Sequence, residues 1–455
     1  MLASVHITDS SIYGSAWVDD ELRGLFTEQY RIASWLDIMR VLAQTQADYG
    51  LIPQPASREI DTACRGLDVD QAFLDEVGEG FKKTNHSLLG LIEAIKKRCG
   101  VAGGEWLCYG ATVQDITDTH IVCVLLKAHQ HFLAQVRLIQ QSLIELARQH
   151  KNTLMCGRTH AQPGLPITFG FKAAAWLDEW ERHRQRLTEL KPRLGVGQLC
   201  GGVGSLSAFG PQALALQKTV MSRLGLEPPI ISWTSSRDRF AEWLAVLALM
   251  ASTGDRIGQE IVHLQRPEIG ELSEGLAENA VGSITMPQKR NPEISEHLGT
   301  LARVVRHHAA HMAENLVHSH ERDGRSWKGE WLIIPDATLA TGKSLALLAN
   351  LVKNLQVNKD RMRANIVATK GFIHAEAVML KLAESLGKQS AHKLVFEVSV
   401  NAQNQGQDFK QALLEHPVIN RLINGAAMQE LFDLEKSTAI CAEMIDQVIS
   451  QCSLS

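Results

Sequence analysis

The 455-residue chain is 45% hydrophobic and 21% charged, a globular balance that excludes a disordered or fibrous protein. At ~150 residues per domain the length suggests roughly three domains and is ample for a large buried core. Lys and Arg total 46 against 50 Asp and Glu, a net charge of −4, so no basic footprint points to nucleic acid or an anionic membrane.

From the start of the chain, Met1-Leu-Ala-Ser-Val-His6 lacks a basic stretch followed by an apolar one, so no export signal is expected. Residues 1–108 read as an N-terminal domain of shorter helices, ending near Gly100, Gly103 and Gly104. A central domain, 109–357, carries long Pro-free runs with apolar residues at three- and four-residue intervals. The first, Ile116–Gln149, would extend ~50 Å as one helix. Phe169–Leu190, Arg237–Leu264, Glu293–His318 and Ala337–Leu355 follow, and residues 358–455 read as a C-terminal set of short helices.

Sustained β-type alternation is nearly absent, so the fold class expected is all-α in three parts. Several of the long helices are apolar over more than one stripe, which suits a bundle shared between subunits. The longest apolar stretch, around Trp243–Met250, is about half of the ~18–20 residues needed to span a bilayer. The eight cysteines form no CxxC pair and read as reduced thiols, consistent with a cytoplasmic protein.

Three polar segments interrupt this pattern. Gly110-Ala-Thr-Val-Gln-Asp115 places a T-x-x-D box before the longest helix. It reads as an N-cap, or as an anion pocket in which Thr112 and free N–H groups hold a substrate carboxylate. Gly157 to Pro166 is a Pro/Gly-punctuated turn crowding Arg158, Thr159, His160 and Gln162 into a few positions; a solvated turn and a site both fit. Glu274 to Pro292 contains Gly275 and Gly282, then Lys289 and Asn291 just before a Pro-started helix. Helix potential, a full positive charge and a directional donor would together grip a carboxylate, with Ser283 on a glycine hinge swinging over it. A capped helix behind a loop leaves Lys289 without a purpose.

Other signals are discounted. Gly342-Lys343-Ser344 completes a permissive P-loop spelling, but it sits in a helical run with no strand before it. The glycines between 195 and 204 do not make a dinucleotide fingerprint. His307, His308 and His311 have helical spacing without a metalloenzyme motif, so neither metal nor cofactor is expected.

In this order and spacing, the three segments resemble the fumarase/aspartase (fumarate lyase) superfamily. The match is most specific in G-S-x-x-M-P-x-K-x-N-P, at Gly282, Ser283, Met286, Pro287, Lys289, Asn291 and Pro292. The resemblance implies an all-α homotetramer with a twenty-helix core and active sites built from three subunits. Within the superfamily the chain looks most like 3-carboxy-cis,cis-muconate cycloisomerase, through Ile12-Tyr-Gly-Ser, Trp327-x-x-Glu330-Trp331, and Met362-Arg-Ala-Asn-Ile through Gly387-Lys-Gln-Ser-Ala-His392. The alternative is an adenylosuccinate lyase-like C–N lyase releasing fumarate, suggested by Gly157-Arg-Thr-His160, by Thr84-Asn85-His86 and by Glu321-Arg-Asp323. Against it, Trp331 stands where that family has a phosphate-binding Arg. Cys108 and Val113 also replace polar residues usual in relatives.

The implied chemistry is reversible β-elimination or addition on a dicarboxylate through an aci-carboxylate. By resemblance Ser283 is the base, His160 the general acid, Glu296 the carboxylate that orients it, and His86 a second acid. Thr112, Gln114, Asp115, Arg158, Thr159, Gln162, Lys289 and Asn291 are the candidate substrate contacts. A non-catalytic protein that keeps the fold, as lens crystallins related to argininosuccinate lyase do, is the remaining class; Ser283, Lys289 and His160 all speak against it.

Overall fold

The computed structural model describes residues 6–275 and 284–453, so Ser283, the expected base, and its neighbour Gly282 lie outside the described residues. Helix dominates. The elements that position the site are α1 (Glu28–Asp48), α2 (Gln71–Thr84), α3 (Leu89–Lys96), α4 (Val113–Gln149), β1 (Leu154–Thr159), β2 (Gln162–Thr168), α5 (Phe169–Leu194) and α6 (Asp238–Gln265). They continue with β3 (Leu272–Ser273), α7 (Glu293–Glu314), α8 (Gly324–Lys353), β4 (Gln356–Val357), α9 (Lys359–Ala368) and α10 (Leu434–Ser453). The chain gathers into two compact units, one of residues 1–135, 183–252 and 300–346, the other of 136–182, 253–299 and 347–455.

In the first unit, α1 starts at Thr27, whose hydroxyl accepts the Tyr30 N–H at 3.2 Å. Its Ile32, Trp35, Leu36, Met39 and Ala43 recur at helical spacing and pack with Phe73, Leu91 and Ile95 in one apolar cluster. Burying each such large side chain contributes roughly 1.5–3 kcal/mol. Deeper in this unit, Arg237 is 1% exposed. It donates to Asp118 at 2.7 and 3.1 Å and through Nε to Glu330 at 2.8 Å. The two carboxylates satisfy a cation that would otherwise be very costly to bury.

The structure lengthens α8 beyond the expected start at Ala337. Pro335 lacks the N–H that would bond to the Trp331 carbonyl, yet the helix continues through it. By length and composition α8 is apolar enough to cross a membrane, with an 18-residue stretch of mean hydropathy 1.3 that is 56% buried within the protein. A search for unbroken apolar runs passes over it because Thr and Ser interrupt the Leu, Ile and Ala. Thr341 returns its hydroxyl to the Ala337 carbonyl at 2.7 Å and so is buried without an unmet donor. The P-loop spelling falls inside this helix. A Cβ at Gly342 would stand 2.2 Å from Leu22, so that glycine serves close packing.

In the second unit, the described residues add four short strands to the mainly helical architecture. β1 and β2 form an antiparallel hairpin, and β3 pairs with β4 through Leu272↔Val357 and Ser273↔Gln356. Proline had marked 157–166 as a turn. A two-stranded ladder uses only alternate N–H groups, so Pro163 and Pro166 fit within β2. The base of the hairpin is buried through Met155 and Cys156, the latter against Ile366 and Ile373. Beyond α9, the helices between Ala375 and Leu431 enclose their own core, with Val378, Leu382, Phe409, Leu413 and Ile419 at its centre.

Candidate active site

The first polar segment opens α4 in the first unit. The Thr112 N–H donates to Asp115 Oδ2 at 2.9 Å, which is the carboxylate half of a capping box. The hydroxyl half is missing, because Thr112 Oγ1 instead accepts from the Arg322 guanidinium at 3.0 Å. Asp115 also accepts the N–H groups of Cys200 and Gly201 at 2.8 and 3.0 Å, pinning the Gly-rich loop to the helix start. Burial pushes its carboxyl up to about 6, while the three backbone donors favour the ionised form. Gln114 is fully buried and donates to Asp118 at 3.2 Å. Both side chains are therefore turned into the protein, whereas Thr112 is only half-buried.

Arg322 is the group the sequence reading did not single out. It also donates to the Gly202 carbonyl at 3.0 Å, and its buried Nε has no hydrogen-bond partner among the described residues. Its place inside Glu321-Arg-Asp323 was the available signal. Cys108 is held in the left-handed region at φ 57°, and burial pushes its thiol up to about 12, so it stays protonated. His86 is exposed after the left-handed Asn85. Its Nδ1 accepts from the N–H of Leu89 at 3.2 Å, which leaves the neutral ring carrying its proton on the outward Nε2.

The second segment is the β1–β2 hairpin of the second unit. Thr159 pairs with Gln162 across a two-residue loop, and both loop residues have positive φ: 51° for His160 and 62° for Ala161. This is the backbone of a type I′ turn, which normally recruits Asn-Gly. Building it from His-Ala stores strain of roughly 1–2 kcal/mol per residue. A register shift between Cys156 and Arg158 separates the buried base from the tip and re-aims it. Thr159, His160 and Gln162 are all exposed there. Arg158 behaves differently: its guanidinium holds the fully buried Glu271 with two bonds, at 2.8 and 2.7 Å. Asn365 donates to the same carboxylate at 2.7 Å.

The third segment leads into α7. Two of the N–H groups at its start, expected to attract a substrate anion, are already occupied. Glu274 accepts the N–H of Ile294 at 3.1 Å and both the N–H and hydroxyl of Ser295 at 2.8 and 2.6 Å. Gln265 at the end of α6 binds the Glu274 N–H at 2.9 Å and the Arg290 carbonyl at 3.2 Å, fixing both sides of the loop. Lys289 is exposed, and Asn291 donates to Glu293 at 3.2 Å. Glu296 lies one turn into α7, exposed, with its N–H on the Pro292 carbonyl at 3.0 Å.

Thr112, Gln114, Asp115 and His86 thus belong to the first unit; Arg158, Thr159, His160, Gln162, Lys289, Asn291 and Glu296 belong to the second. The structure brings Thr112 together with Arg322 and Asp115 with the loop at 200–201. It ties Arg158 to Glu271, away from the exposed tip chemistry. Among the described residues no three His, Cys, Asp or Glu side chains converge on a metal position, and His308 of the histidine row faces Asp336 at 3.8 Å.

The family described as Lyase matches residues 17–306, and the adenylosuccinate lyase C-terminus matches residues 371–448. The chain belongs to the fumarate lyase (fumarase/aspartase) superfamily and is an enzyme of it. It is 37% identical to N-acetyl-S-(2-succino)cysteine lyase of Dickeya dadantii, over 98% of this chain and 97% of that one. A crystal structure of fumarate lyase from Mesorhizobium sp. BNC1 superposes with a TM-score of 0.88 at 32% identity, covering 96% of this chain and 99% of the other. The 3-carboxy-cis,cis-muconate lactonizing enzyme of Pseudomonas putida gives 0.88 at 29% identity, covering 98% and 99%.

Proposed function

We propose that this enzyme releases fumarate from an S-succinyl thioether of the N-acylcysteine type. The observation that carries the substrate class is the end-to-end match to N-acetyl-S-(2-succino)cysteine lyase. Ser283 takes a proton from the carbon next to one succinyl carboxylate. The electron pair forms the new C=C bond, the C–S bond on the adjacent carbon breaks, and the sulfur leaves as a thiol with a proton from His160. Thr159, Lys289 and Asn291 stabilise the aci-carboxylate that precedes cleavage. Thr112, backed by Arg322, and Gln162 hold the second carboxylate. Glu296 orients His160, and the outward Nε2–H of His86 makes it the second acid. Gln114, Asp115 and Arg158 act as positioning residues in this scheme, since their side chains are engaged with protein partners.

The exposure of His160, Lys289 and Glu296 on one chain supports a site completed by neighbouring subunits. A homotetramer with sites drawn from three subunits is part of the proposal, with residues 109–357 supplying the shared helices and 1–108 and 358–455 flanking them. Mixing a Ser283→Ala variant with a His160→Asn variant tests this: recovery of activity supports shared sites, and additive inactivity refutes them.

A second reading, the cycloisomerase, is favoured by the full-length likeness to the Pseudomonas putida enzyme. Incubating the protein separately with N-acetyl-S-(2-succinyl)cysteine, an N-succinyl amine and 3-carboxymuconate discriminates between them. Fumarate from the thioether supports the proposal; lactone formation without fumarate from any succinyl compound replaces it with the second reading.

A further inference from the structure

The first unit contains a cleft that the scheme above does not use. It has a volume of about 210 Å³ and runs between one face of α1 and one face of α2, from Ser87, next to His86, to Trp331 on α8. Glu28, Arg31 and Trp35 line one side, Leu74, Val77 and Phe81 the other. Arg31, Trp35 and Trp331 also border an inner cavity of about 30 Å³, closed by Thr117 and His120 of α4 and by Trp327. That volume admits one or two small groups. The walls are thus mainly apolar, and one end of the cleft is lined by Ser87, the residue that follows the candidate acid His86 in the chain.

The polar groups in these walls are unmatched. Arg31 lies with its guanidinium 5.7 Å from the Trp331 ring centroid, and among the described residues that side chain makes no hydrogen bond or ion pair. Burial lowers its pKa, and the exposed Glu28 is the charge that offsets this. Trp35 Nε1 and Thr117 Oγ1 are buried without a hydrogen-bond partner among the described residues. The remaining charges nearby are already spent: Asp118 and Glu330 bind Arg237. Burial brings His120 down to about 3, so it is neutral, with Nδ1 2.9 Å from the Ser34 hydroxyl. A half-buried cation offset only by the exposed Glu28 and held in no ion pair, set in an apolar slot with spare donors at its end, matches one ligand chemistry. It fits a small molecule with a short apolar body and its own carboxylate.

We propose that this cleft receives the leaving group, and that Arg31 selects leaving groups bearing a carboxylate, with Trp331 and Phe81 packing on the acyl or alkyl part. The proposal rests on the elimination reading given above. It makes Arg31 a specificity residue that touches substrate without taking part in proton transfer.

The test uses the full-length protein and two thiols that differ only in the carboxylate, N-acetylcysteine and N-acetylcysteamine, each free and as its S-succinyl adduct. Binding of the free thiols is read from tryptophan fluorescence or calorimetry, and turnover from fumarate release. Wild type is expected to bind N-acetylcysteine at least tenfold more tightly than N-acetylcysteamine, and to show the same preference in kcat/KM for the adducts, as a charge-assisted pair implies. Arg31→Gln should reduce both preferences to about twofold without shifting the thermal midpoint; should that variant misfold, the wild-type comparison and Arg31→Lys carry the test. Equal wild-type affinity for the two thiols, or a preference that survives in Arg31→Gln, overturns the cleft assignment even when fumarate is released. Arg31-dependent thiol binding with no fumarate from either adduct leaves the cleft assignment standing and removes the elimination reading.

Discussion

Glu274 binds Ser295 twice, accepting its backbone N–H at 2.8 Å and its hydroxyl at 2.6 Å. The carboxylate thereby caps α7 from a residue lying well before the Lys289–Asn291 entry. Replacing Glu274 by Ala is expected to cost about 1–2 kcal/mol of stability, the range for losing a helix cap. It should also raise KM more than it lowers kcat, because the cap anchors the segment that carries Lys289 and Asn291. Urea denaturation and steady-state kinetics check both; an unchanged KM would separate Glu274 from the substrate grip.

Arg158 and Glu271 form the other fixed pair. Glu271 is fully buried, so Glu271→Ala strands a half-buried guanidinium and leaves Asn365 with the Ile269 carbonyl as its remaining acceptor. The expected loss is about 3 kcal/mol or more, as for other broken buried pairs. The double variant Arg158→Met/Glu271→Leu should recover much of it. A double-mutant cycle with no coupling energy would refute a stabilising role for the pair.

The His160–Ala161 tip makes opposite predictions for its two residues. Ala161→Gly relieves a left-handed alanine and should raise stability by about 0.5–1 kcal/mol. His160→Asn keeps a residue that tolerates positive φ but removes the acid, so kcat should fall about 10²–10⁴-fold with the thermal midpoint held. Equal activity of His160→Asn and wild type would rule out His160 as the acid.

Much of this was legible in sequence because helices announce themselves locally. The five long runs were each found within a few residues at most boundaries, except α8, where Pro335 hid the first turns. The hairpin was missed because two prolines and a His-Ala loop violate the residue preferences by which strands and type I′ turns are recognised. The polar segments stood out by composition, yet composition does not tell which polar residue faces inward. Arg158 and Asp115 read as substrate contacts in sequence; their partners, Glu271 and the N–H groups of Cys200 and Gly201, lie more than eighty residues away. Arg31 carried no signal at all, since only the fold shows a half-buried guanidinium whose charge is offset by nothing nearer than the exposed Glu28.

Asp115 gives a pH signature whose sign follows from linkage. Burial raises its carboxyl from 3.8 to about 6, so between about pH 4 and 6 the folded protein retains a proton that the unfolded chain has released. Stability from this group is fully present below about pH 4 and is lost as pH rises through 6, by at most about 3 kcal/mol. The stability difference between wild type and Asp115→Asn should therefore decline across that window. A difference that grows with pH would mean the three backbone donors outweigh desolvation.

The central claim is that a proton next to a succinyl carboxylate is removed by Ser283. Proton NMR of N-acetyl-S-(2-succinyl)cysteine incubated with wild type and with Ser283→Ala tests it most directly. The account predicts olefinic fumarate signals with wild type and a loss of at least about 10²-fold in the variant, with the substrate still bound. Fumarate formed at equal rates by both proteins would contradict it.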